Sequence, residues 1–125
     1  MMLSEIEIIE LLSIKERLTV EYSSTVSYDS CLTLWADLVH RCERGSVDCV
    51  YEYFDDLHAR RRLQRILDAC SPNLRSKLSQ KVYIFDKRFF AATESVAGAA
   101  SKGEFWETRI PICRSPEFVG WEEFI

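Results

Sequence analysis

The sequence predicts a mainly α, four-helix bundle-like single domain over residues 1–125, with a short extended segment near its C-terminus. Three observations predict it. From Ser71 to Thr93, a serine N-cap and Pro72 at the first helical position precede an apolar stripe of Leu74, Leu78, Val82, Phe85, Phe89 and Ala92, spaced at about 100° per residue. From Tyr28 to Arg44, Cys31, Leu34, Trp35, Leu38, Val39 and Cys42 recur at threes and fours and stop at Gly45, the residue type that best follows a helix. The third is composition: 125 residues, 47% hydrophobic and 29% charged, suit one globular domain with enough apolar content to fold alone.

The elements follow in order. Ser4 and Glu7 have capping-box spacing, and a first helix runs to about Tyr22 with Ile8, Leu11, Leu12, Ile14 and Leu18 as its expected core face. Its last turn, with Thr19, Val20 and Tyr22, equally suits extended chain. Ser23 to Ser27 is a polar connection to the second helix, whose end carries His40, Arg41 and Arg44, cations suited to the negative end of the helix dipole.

Between Ser46 and Cys70 the apolar phase changes. Val50, Tyr53, Phe54 and Leu57 share one side, whereas Ala59, Leu63, Ile66, Leu67 and Cys70 lie almost opposite, so a break is expected between Asp55 and Ala59. The part before it reads as a structured loop or single turn, the part after it as a third helix. Ser71-Pro72 then turns the chain into the fourth, packed antiparallel to the third. Ser95 to Gly103 is small-residue chain read as a mobile loop. Phe105, Trp106, Thr108, Ile110 and Ile112 alternate as an extended segment, which must lie along the bundle or pair with an extended run such as Thr19 to Tyr22. The tail from Phe118 to Ile125 is expected to dock on the bundle as a lid.

A net charge of -4 argues against nucleic-acid binding, which uses a basic surface to release phosphate counterions. No apolar run reaches the ~20 residues of a membrane span, and the N-terminus lacks a secretory pattern, so a cytoplasmic protein is expected. Five cysteines at irregular spacing read as reduced thiols, Cys31, Cys42 and Cys70 as small core residues.

His40, Cys42, Cys49 and His58 offer zinc-type ligand atoms without the paired spacing of a zinc site, and no metal or other cofactor is expected. Glu52, Asp55 and Asp56 with His58 read as an acidic turn ahead of the third helix rather than an acid–base site. Aromatic residues interleave with these acids, the pairing that protein interfaces use. Tyr51, Glu52, Tyr53, Asp55 and Asp56 therefore form the first candidate partner-binding patch, and Trp106 with Glu107 a second. Arg60, Arg61, Arg62 and Arg65 are expected to pair with Asp56 and Asp68 within the helix. Cys113 lies in no local nucleophile motif.

The run E-Y-x-x-D-L-x-x-R, L-Q-x-x-L-D, P-x-L-R-x-K-L and F-D-x-R-F-x-A-A-T, between Glu52 and Thr93, resembles a set of small, largely helical bacterial proteins. They are of the size and type found as immunity proteins beside polymorphic or contact-dependent inhibition toxins. The resemblance implies a non-enzymatic partner that binds a cognate toxin domain in the cytoplasm and blocks it. Two other classes stay open: a homodimer burying the aromatic C-terminal residues against its mate, and a small metal-dependent enzyme built on His40, His58 and the acids near Asp55. Monomer and homodimer are both compatible with the sequence.

Overall fold

The computed structural model describes residues 2–96 and 104–124. The Ser4 side chain accepts the Glu7 N–H at 3.2 Å, and the Ser4 N–H donates to Glu7 Oε1 at 2.8 Å, so the reciprocal cap forms and starts α1 (Glu5–Tyr22). Ser23, at φ 53°, turns the chain left-handed and stops it there; the last turn is helical, not extended. Ser27 caps α2 (Tyr28–Arg44) through the Ser30 N–H. Gly45 ends it at φ 67°, a conformation that favours glycine, and a Cβ there would come to 3.1 Å from the Cys113 Cβ, a tight contact.

The break falls at Leu57. The chain before it is a seven-residue helix, α3 (Val50–Asp56), rather than a loop or single turn, and it burrows Val50 and Tyr53 into the core. After the break, α4 (His58–Ala69) buries Ala59, Leu63, Ile66 and Leu67, the phase the sequence requires. Next comes α5 (Pro72–Ala92), the longest helix, with Leu74, Leu78, Val82 and Phe89 buried. Each such side chain contributes roughly 2 kcal/mol of apolar transfer. Ser71 does not cap its own helix: its N–H and hydroxyl both donate to the Glu10 carboxylate, at 2.6 and 2.8 Å, pinning the α4–α5 turn to α1. Arg75 reaches back to the Leu67 and Cys70 carbonyls and satisfies the end of α4.

The helix α2 lies at the centre, packed along both α4 and α5, with α1 against α4 and α3 bridging α2 and α4. Two expected faces are narrower than predicted. Leu34 is exposed on α2, and on α1 Ile8 and Leu12 point to solvent, leaving Ile14, Leu18 and a lysine-paired Glu7 as its buried residues.

The extended segment is shorter than predicted and pairs elsewhere. Residues Phe105–Thr108 form a 3-10 turn, and only β2 (Arg109–Pro111) is a strand, antiparallel to β1 (Thr93–Ser95) with Glu94 opposite Ile110. Thr19 to Tyr22 is unavailable because its backbone is already bonded within α1, whereas the chain leaving α5 has free groups. Ser95, expected in the loop, is in β1; residues 97–103 lie outside the described residues. The tail docks as expected: Phe118 is buried edge-on to Tyr53 at 5.5 Å, and a 3-10 turn (Trp121–Phe124) follows. Among the described residues no helix is long and apolar enough to cross a membrane.

Candidate functional site

Two regions combine aromatic and charged side chains, and burial separates them. The first is the junction of α2, α4, α5 and the 3-10 turn. Arg60 is 2% exposed and holds the Asp86 carboxylate with two parallel bonds of 2.8 Å, a geometry in which each charge satisfies the other. Asp86 also accepts the Trp35 indole N–H at 3.0 Å, and Arg60 donates to Gln64 at 3.1 Å. The Trp106 ring lies 4.5 Å from the Arg60 guanidinium carbon and is itself buried.

Trp106 is therefore a core residue, which corrects its place in the second candidate patch: the 3-10 turn tucks the indole against Arg60 instead of presenting it outward. Glu107 sits at the rim and accepts from Arg61 at 2.9 Å. The expected intrahelical pairing of the arginines is also replaced. Arg60 reaches α5, Arg61 the 3-10 turn and Arg65 Glu21 on α1, while Arg62 lies 5.1 Å from the Tyr22 ring centre. Asp56 pairs with Arg41 of α2 at 2.6 Å, and Asp68 accepts from Gln64.

A related buried anchor closes the end of α5. Arg109 donates to the carbonyls of Phe90 and Thr93 and to the Thr93 hydroxyl, with its guanidinium 3.8 Å from the Phe90 ring centre. Burial lowers the Arg109 pKa from its ordinary value. The Tyr53 hydroxyl donates to the Arg109 carbonyl at 2.6 Å and is fully buried, so its pKa rises well above the usual phenol range. Tyr53 thus fastens α3 to β2 and leaves the first candidate patch. Its position on the Val50–Leu57 side of the periodicity carried that signal, and its aromatic neighbours obscured it.

The second region is exposed. On α3, Tyr51 is 71% exposed, and Glu52 and Asp55 stand in solvent beside it. The C-terminal turn completes this surface. Phe124 stacks on Phe54 with ring centres 4.7 Å apart and 4° between planes, and meets Tyr51 edge-on at 5.3 Å. Glu122 and Glu123 are exposed on the same turn, as is Val119 just before it. Of the first patch, Tyr51, Glu52 and Asp55 remain accessible, Asp56 is engaged by Arg41, and Tyr53 is interior. Phe124, Glu122 and Glu123 lie outside both patches read from the sequence, although W-E-E-F repeats the aromatic–acid alternation of Y-E-Y-F-D-D.

The alternative chemistry is dispersed. His58 Nδ1 stands 3.7 Å from Asp55 Oδ1, with both side chains more than half exposed, beyond hydrogen-bond length. His40 faces Arg88 and Glu43 on another helix pair, Cys42 is buried with its thiol pushed up to about 12, and Cys113 is exposed. Among the described residues no group of three or more His, Cys, Asp or Glu is arranged to hold a metal ion. Comparison with protein-family models, curated proteins and solved structures finds no match for this chain.

Proposed function

We propose that the chain is a cytoplasmic, non-enzymatic binding protein of the immunity type, which neutralises a cognate bacterial toxin domain by docking through α3 and the C-terminal turn. One observation carries the reading: Tyr51 and Phe124 form a partly exposed aromatic pair flanked by the exposed acids Glu52, Asp55, Glu122 and Glu123. Rigid aromatic rings supply contact area at low entropic cost, and surrounding carboxylates set the sign of an acceptable partner. The overall charge of -4 extends the same field and favours fast encounter with a basic surface. Tight packing of α3 by Tyr53 and Phe118 beneath pre-forms the surface, which reduces the ordering cost of binding.

The test is co-expression of the tagged chain with the polypeptide encoded by the reading frame immediately upstream. The expected result is a stoichiometric complex and rescue of growth that the neighbour alone impairs. A harmless neighbour that elutes separately contradicts the proposal.

A further inference from the structure

Two of the five cysteines line one cleft, where the exit of β2 meets the C-terminal end of α2. The cleft has a volume of about 310 Å³ and lies between Cys42 of α2, Ala91 and Ala92 of α5, and Ile112 and Cys113. Cys113 is exposed, whereas Cys42 is 1% exposed and closes the inner side. Of the other cysteines, Cys31 and Cys70 are in the core and Cys49 does not line this cleft.

Gly45 brings the two thiols together. A Cβ on Gly45 would stand 3.1 Å from the Cys113 Cβ, and the Gly45 N–H donates back to the Cys42 carbonyl at 3.3 Å. Residues three apart at a helix end have Cβ positions about 5–6 Å apart, so the Cβ atoms of Cys42 and Cys113 are within about 9 Å, with no side chain at position 45 between them. A disulfide takes Cβ atoms about 3.8 Å apart. The remaining approach falls to residues 112–114, which belong to neither a helix nor a strand.

We propose that Cys42 and Cys113 are a redox pair, which a peroxide joins into an intramolecular disulfide that clasps the exit of β2 to the end of α2. No residue of the acidic–aromatic surface takes part. Burial holds Cys42 as the neutral thiol, so Cys113 is the sulfur that meets the peroxide first. A water occupies about 30 Å³ of liquid, so the cleft has room for hydrogen peroxide. The Cys113 thiolate attacks one peroxide oxygen, the O–O bond breaks, and the departing hydroxide takes up a proton to become water, leaving a sulfenic acid on Cys113. The Cys42 sulfur then attacks the Cys113 sulfur. The S–O bond breaks, the Cys42 proton leaves with the hydroxide as a second water, and the S–S bond forms. Two thiols are oxidised and one peroxide is reduced. In a reducing compartment thiol exchange reopens the bond, so the clasp is transient.

Mass spectrometry of the folded, full-length chain after brief treatment with hydrogen peroxide tests this. The expected result is a monomer about 2 Da lighter, restored by dithiothreitol, with Cys42 and Cys113 joined in a non-reducing digest. Cys113→Ser, at an exposed position, should abolish the loss. Cys42→Ala should leave a sulfenic acid on Cys113 that dimedone traps, with circular dichroism as the check on folding. Because Cys42 is in the core, Cys113→Ser and the digest decide the matter if that variant unfolds. A wild-type mass that does not fall overturns the proposal, as does a loss that persists in Cys113→Ser. So does a bond from Cys113 to Cys49 or to a second copy.

Discussion

The Arg60–Asp86–Trp106 junction and the Tyr51–Phe124 surface are built from the same materials, aromatic rings beside charges, and differ in whether the charges are answered. At the junction Asp86 receives two bonds from Arg60 and one from Trp35, and Arg60 is capped by a ring and an amide. At the surface Glu52 and Asp55 stand in solvent, and the rings above them stay partly uncovered. Aromatic residues interleaved with charge therefore mark two opposite things, a closed polar core or an open, solvent-facing surface. The difference is read from burial and partner count.

Removing one member of the closed network should have the largest effect on stability. Asp86→Ala leaves the Arg60 charge buried without its partner and should cost about 3–5 kcal/mol, lowering the melting temperature by roughly 10–20 °C. A loss below 1 kcal/mol, measured by urea unfolding, would contradict the account of the junction.

High pH probes the same interior without mutation. Burial pushes Tyr28 and Cys42 each up to about 12, Cys70 to about 11, and Tyr53 well above the phenol range. All four are neutral acids whose folded pKa exceeds the unfolded value of about 8.5 for Cys and 10 for Tyr. Their contribution is therefore complete below pH ~8.5 and lost as pH rises toward the folded values. Thermal melts should stay level through neutrality and fall steadily above about pH 9; melts unchanged to pH 11 would show that these groups ionise freely in the fold.

Tyr53→Phe isolates the link between α3 and β2. It removes the hydroxyl bonded to the Arg109 carbonyl and keeps the ring against Phe118, so about 1–1.5 kcal/mol is expected. A neutral result would mean that the ring alone fastens α3.

Much of the fold was legible because it depends on local chemistry. The Ser4–Glu7 cap, the stop at Gly45 and the phase change near Leu57 each involve residues within a turn or two of one another. What escaped the sequence depends on distant partners. Asp86 reads as a solvent-facing polar residue until Arg60, 26 positions away, is folded against it. Arg109 likewise looks like a surface charge until it meets the end of α5. Tyr53 and Trp106 depart from the patches because an aromatic next to an acid suits a core as well as an interface, and for Tyr53 the helical period of α3 already points inward. The tail is expected on the bundle from the sequence, but nothing in a linear reading sets Phe124 and its two glutamates against α3. The apolar outer face of α1 was legible as residues and illegible as a surface, since periodicity does not show which of two faces the bundle takes.

The most direct test of the contrast is the double charge reversal Glu52→Lys with Asp55→Lys. These exposed positions should move stability by no more than about 0.5 kcal/mol, as measured by urea unfolding. The variant is expected to fold and melt like the wild type but no longer to co-purify with the polypeptide encoded immediately upstream. A variant that still forms the complex at wild-type yield would contradict the assignment of α3 and the C-terminal turn as the docking face.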